Sequence, residues 1–88
     1  MFERLMYTEE EVRKLIENDL KKESITIKKI EYVKENNIYY LRVYIDKKPY
    51  VDVDTCVLAS NIINPLIDNI SSLNKSYVLD VCSSGEVD

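Results

Sequence analysis

The segment from Ile38 to Asp46 leaves this chain little freedom. Tyr39, Leu41, Val43 and Ile45 alternate with Tyr40, Arg42 and Tyr44, so an extended strand puts an apolar row on one face and a polar, aromatic row on the other. Immediately before it, Asn36-Asn37 suits a tight hairpin turn, because Asn tolerates the positive φ such turns need. The preceding run, Thr26 to Glu35, is rich in Ile, Val, Tyr and Thr and supplies the partner strand. Its apolar parity shifts from Ile25 and Ile27 to Ile30 and Tyr32, which predicts a bulge or a late strand start near Lys28-Lys29.

An apolar sheet face has to be covered, and two helical patterns are available to do so. From about Glu9 to Lys22, Val12, Leu15, Ile16 and Leu20 fall on one face, with Thr8 as the expected cap and Glu11 in a capping-box position. Phe2, Leu5 and Met6 extend that apolar surface. From about Val53 to Asn69, Cys56, Ala59, Ile63, Leu66, Ile67 and Ile70 lie within one arc, behind Asp52 as the cap. Pro65 removes a helical hydrogen bond to Asn61, so a kink is predicted, with Asn64 capping a short last turn. A last strand, Ser76 to Cys82, turns Tyr77, Leu79 and Val81 inward and Val78, Asp80 and Cys82 outward.

The order is therefore helix, strand, strand, helix, strand. An α/β (α+β) two-layer sandwich, with a three-stranded sheet and two helices packed on one face, buries every one of these stripes. The third strand could pair antiparallel with the first, giving the spatial order two, one, three, or lie on the other edge. A chain of 88 residues makes one domain, residues 1–88, that buries roughly 60–65 % of its unfolded surface.

What the chain lacks narrows its chemistry. There is no histidine, which removes Ser-His-Asp and Cys-His nucleophile pairs and the commonest metal ligand. Cys56 and Cys82 have no metal-ligand spacing and are too few for a disulfide scaffold, so buried, reduced thiols are expected. An enzyme built on either thiol with Asp80 would have no base to activate it. No apolar run approaches a membrane span, and the start of the chain is not a basic and then apolar signal, so a cytoplasmic location is expected.

Charge is divided unevenly. Residues 1–50 carry eleven Lys or Arg against ten Asp or Glu, whereas residues 51–88 carry Lys75 against six acids, together making the net charge of −4. Such an acidic pole repels phosphate backbones and attracts basic protein segments.

Three stretches taken together have a further implication: Leu41 to Asp46; Val51-Asp52-Val53-Asp54-Thr55-Cys56; and Tyr77 to Ser84. In this order and spacing the chain resembles the amino-terminal domain of the ribosome maturation factor RimP, over nearly its whole length. The family reads an Asp-Asp-Cys-like run at the second helix, where Thr55 here replaces the middle acid. It continues Ser-Ser-Pro-Gly-Leu-Asp-Arg into a second, SH3-like domain, where this chain reads Ser83-Ser84-Gly85-Glu86-Val87-Asp88 and stops. The resemblance implies a non-enzymatic factor for late assembly of the small ribosomal subunit, docking near the decoding centre beside ribosomal protein S-twelve and neighbouring rRNA. No cofactor, metal, membrane or small-molecule substrate is implied.

The candidate contact residues each have an ordinary structural reading as well. Tyr40, Arg42 and Tyr44, close to Lys28, Lys29 and Lys34, can stack on bases or meet phosphates, or can simply be cross-strand pairs on an exposed sheet face. Asp46, Asp52 and Asp54 suit a basic partner, while a helix cap accounts for Asp52 or Asp54 equally well. Leu58, opposite the core arc of its helix, marks a partner patch or a lone exposed leucine. Ser83 and Ser84 shape the exit from the last strand, with phosphate binding as the weaker reading. The alternative function is a stand-alone RNA-binding module with a KH-related topology. It would need a GxxG clamp, and the only glycine is Gly85.

Overall fold

The computed structural model describes residues 2–4, 6–68, 70, 73 and 76–83, with side chains from residue 7 onward. Its elements are β1 (Phe2–Arg4), α1 (Met6–Lys21), β2 (Thr26–Glu35), β3 (Ile38–Asp46), α2 (Val53–Ile67) and β4 (Val78–Ser83). The two helices and three main strands come in the expected order, and α1 and α2 share one core with the inner face of the sheet. The short β1 is an addition that the sequence pattern did not announce.

The hairpin forms because Asn36 and Asn37 take φ values of 53° and 68°, the left-handed pair that matches the strand twist. The bulge falls where the parity shift placed it: Ile27 pairs with Ile45 and Lys29 with Tyr44, leaving Lys28 as the extra residue. Ile27 and Ile30 can thus both turn to the core.

Strand order departs from the antiparallel pairing of the last strand with the first. The sheet runs β1-β2-β3-β4, with β4 parallel to β3 and Leu41 opposite Leu79, Val43 opposite Val81. The outer edge of β2 is already in use. β1 pairs there up to Arg4 opposite Val33, and the next amide along, that of Tyr32, donates to the Glu9 carboxylate at 2.8 Å. A parallel strand beside β3 is also what a β-helix-β crossover through α2 delivers.

The start of α1 is corrected for the same reason. The helix begins at Met6, so Thr8 and Glu9 lie inside it rather than at its cap, and both are buried against the sheet. The stripe that reaches the core is Val12, Ile16 and Leu20, while Leu15 stays partly exposed. Ser24 ends the helix at φ 62°, and the Ile25 amide returns to the Leu20 carbonyl at 3.0 Å.

Asp52 caps α2 as expected. Its Oδ1 accepts from the Thr55 amide at 2.8 Å and the Thr55 hydroxyl at 2.7 Å, and these bonds hold the carboxyl below its ordinary pKa. No restart occurs at Asn64, because the helix runs through Pro65 to Ile67. Asn61 and Pro65 face solvent, where water can take over the freed carbonyl, while Ile63 and Ile67 anchor the turns on either side in the core. Thr55, Ala59, Ile63 and Ile67 form the buried stripe; Cys56 and Leu66 sit at its margin, half-buried, so neither thiol is a core residue.

Candidate functional site

The structure divides the candidate residues between distinct surfaces. Tyr40, Arg42 and Tyr44 project from β3 on the face away from the helices, with Asp46 continuing the row at the strand's end. Asp54 and Leu58 lie on the exposed side of α2, in the helical layer, one turn apart; Leu58 is 36 % exposed. Ser83 closes β4 opposite Ile45, beside a groove between β4 and α2. Ser84 lies outside the described residues.

On the open sheet face the strand register builds rows across β2, β3 and β4. Glu31, Arg42 and Asp80 make one, and Lys29, Tyr44 and Cys82 the next. The Arg42 guanidinium lies 4.8 Å from the Tyr40 ring and 3.4 Å from a Glu35 oxygen. Burial draws its pKa down, but the hydrogen bond to Glu35 and the charges of Glu35 and Glu31 prevail and raise it. Lys29 pairs with Glu31 at 3.3 Å and stands 5.9 Å from the Tyr44 ring. The basic groups of this face are thus accompanied by carboxylates, a pattern the one-dimensional spacing did not reveal. Lys34 belongs to the other side of the sheet, 5.5 Å from the Tyr39 ring, which itself stacks on Tyr32. Lys28 is the bulge residue. Of the three hairpin lysines, Lys29 alone joins the Tyr44 contacts.

Tyr44 is tied to the neighbouring strand β2. Its hydroxyl donates to Glu31 Oε1 at 3.1 Å, and burial, followed by that bond and the Glu31 charge, raises its pKa. Tyr77 is raised by burial and by the charge of Asp68. A value raised in the folded state means that the fold holds the proton more tightly than the unfolded chain does. The stability linked to it is present below the ordinary tyrosine value of about 10 and disappears as pH climbs through the raised value. Thermal unfolding followed from about pH 8 to 12 should therefore show a falling midpoint, and a Tyr44→Phe, Tyr77→Phe double variant a shallower fall. Parallel curves for the two proteins would contradict this account.

Among the described residues no group of three or more His, Cys, Asp or Glu could hold a metal ion, and no helix is long and apolar enough to cross a membrane.

The three stretches that carry the sequence resemblance now have places in the fold. Leu41 to Asp46 is the central strand, Val51 to Cys56 is the capped entry to α2, and Tyr77 to Ser83 leads into and forms the parallel edge strand. A family model, the RimP N-terminal domain, matches residues 15–86, which take in the end of α1 and all of β2, β3, α2 and β4. The chain belongs to this family. RimP is a ribosome maturation factor, and membership places the chain in ribosome biogenesis. The RimP match rests on the part of the fold that positions both the open sheet face and the first turns of α2.

Three residues that sequence reasoning passed over also line the groove beside Ser83: Tyr50, Val53 and Val57, each with its side chain largely in solvent. Val53 and Val57 stand one turn apart outside the core arc of α2. That spacing was the available signal.

Proposed function

We propose that this domain works without catalysis, by docking on the immature small ribosomal subunit near the decoding centre, where its main contact is the basic ribosomal protein S-twelve and rRNA contributes less. Membership of the RimP N-terminal domain family carries the reading. The charge arrangement supports the preference for a protein contact. Residues 51–88 are strongly acidic, and Glu31, Glu35 and Asp80 surround Arg42 on the open sheet face. A phosphate backbone approaching Arg42 would have to displace its carboxylate partners, whereas a Lys- or Arg-rich segment meets Asp46 and Asp80 at the sheet and, if it continues over α2, Asp54.

Titration of purified S-twelve into the domain should give binding that weakens with salt. Reversing charge with Asp54→Lys should weaken it about tenfold, the equivalent of about 1.4 kcal/mol. Asp54 is exposed in the first turn of α2 and lies outside the Asp52–Thr55 cap bonds, so the fold tolerates the change. The reading fails if S-twelve does not bind while bare rRNA binds tightly and is indifferent to Asp54→Lys.

A further inference from the structure

We propose that the free edge of β4 and the flank of α2 above it form a strand-addition groove, which accepts an extended, basic segment of a protein partner as a fifth strand. The inference rests on the docking reading above and names the surface and the form of the contact.

β4 is the last strand of the sheet, paired with β3 on one side, and no described strand pairs with its other side. An edge of this kind presents alternate amide and carbonyl groups ready to hydrogen-bond another chain. The two margins of the sheet differ. The β2 margin is blunted by β1, by the bulge at Lys28, by Lys29 and by the Glu9 carboxylate on Tyr32. β4, reading Val78-Leu79-Asp80-Val81-Cys82-Ser83, has no lysine, proline or bulge.

Beside this edge lies a groove of about 770 Å³, lined on the strand side by Val81 and on the other by Tyr50, Val53 and Val57. These last three are 66 %, 77 % and 52 % exposed, an apolar surface that α2 and the loop before it do not turn into the core. An added strand would lie beneath them, with every second side chain in the groove. Asp52 and Asp80 also line it, and no Lys or Arg does. The complementary segment therefore alternates apolar residues with lysine or arginine.

The probe is an acetylated, amidated nonapeptide alternating Lys and Val, titrated into the isotopically labelled chain and followed by amide NMR. Saturable shifts at Leu79 to Val81 and in the first turns of α2 are expected, with amide exchange slowed along β4. Val57→Lys, a change at an exposed position, should weaken binding about tenfold, and a Glu-Val peptide should leave the spectrum unchanged. The proposal is overturned by any of several results: no saturable shift up to about millimolar peptide, equal shifts with the Glu-Val peptide, or shifts confined to Tyr40 and Tyr44. Shifts along β4 that grow with the chain's own concentration, without peptide, would assign the edge to self-pairing and also overturn it. Gradient sedimentation separates this inference from the docking reading. If Val57→Lys still travels with free small subunits as the parent chain does, docking stands and the groove falls. If neither protein travels with them although the peptide binds, docking falls and the groove stands.

Discussion

Replacing Leu41 by alanine lowers the thermal midpoint by about 12–24 °C, corresponding to a loss of about 3 kcal/mol. Leu41 is 0 % exposed and lies in the middle of the sheet, opposite Tyr32 on β2 and Leu79 on β4. Tyr32 belongs to the same buried cluster, and the stripes of α1 and α2 close over it. Deleting the side chain loses its transfer free energy and leaves a cavity that strands held on both sides cannot collapse to fill. A domain of this size has about 4–13 kcal/mol of stability in total, so the loss is a large share. Val78→Ala is the control: Val78 sits on the outer face of β4, 44 % exposed, and its truncation should cost less than about 0.5 kcal/mol. Calorimetry on the two variants checks both figures. Similar midpoints for both would mean that the inner and outer faces are not divided as described.

The second large effect is expected at Glu9, and it comes from hydrogen bonding rather than volume. Its carboxylate, in a residue only 5 % exposed, accepts from the Tyr32 amide at 2.8 Å and ties the first turn of α1 to the sheet where β1 stops. Glu9→Ala takes this acceptor from a buried donor, at a cost of about 2–3 kcal/mol. Alanine is the better helix former, so helix propensity pushes the other way and a loss comes from what the carboxylate does. Glu10→Ala, at an exposed neighbouring site, measures what the loss of one negative charge near the helix start costs by itself, about 0.3–1 kcal/mol. Glu9→Gln keeps an oxygen acceptor and should fall between the two. Denaturant unfolding with amide exchange at Tyr32 gives the answer. Equal losses for Glu9→Ala and Glu10→Ala would reduce Glu9 to a dipole effect.

The same two residues show what the sequence could convey. Leu41 was legible because a strand buried on one face writes its environment as strict alternation, and the hairpin and bulge followed from Asn36-Asn37 and from the parity slip around Lys28. Glu9 was not legible. Thr8 with Glu11 spells a capping box, and nothing local says that the helix starts earlier and sends Glu9 toward a strand 23 residues away. β1, three residues long, is too short to show any periodicity. The place of β4 was open because its inward row fits either edge, and the decision lies in the crossover and in the occupied margin of β2.

The candidate contacts were legible only in part. Spacing along β3 correctly grouped Tyr40, Arg42 and Tyr44 on one face, yet it could not show that Glu31 and Glu35 accompany Arg42, since those partners come from another strand. Lys34 was grouped with the wrong face because distance along the hairpin says less than parity does. The groove at β4 was invisible to a one-dimensional reading. It exists because α2 leans its buried stripe toward α1 and the central sheet and leaves Val53 and Val57 above an edge strand, a relation that appears only once both elements are placed.

Gradient sedimentation of this chain with purified free small subunits and with whole ribosomes, at moderate salt, tests the central claim most directly. The account predicts that the domain travels with free small subunits and is largely absent from whole ribosomes. Equal retention on both particles, or on neither, would contradict it.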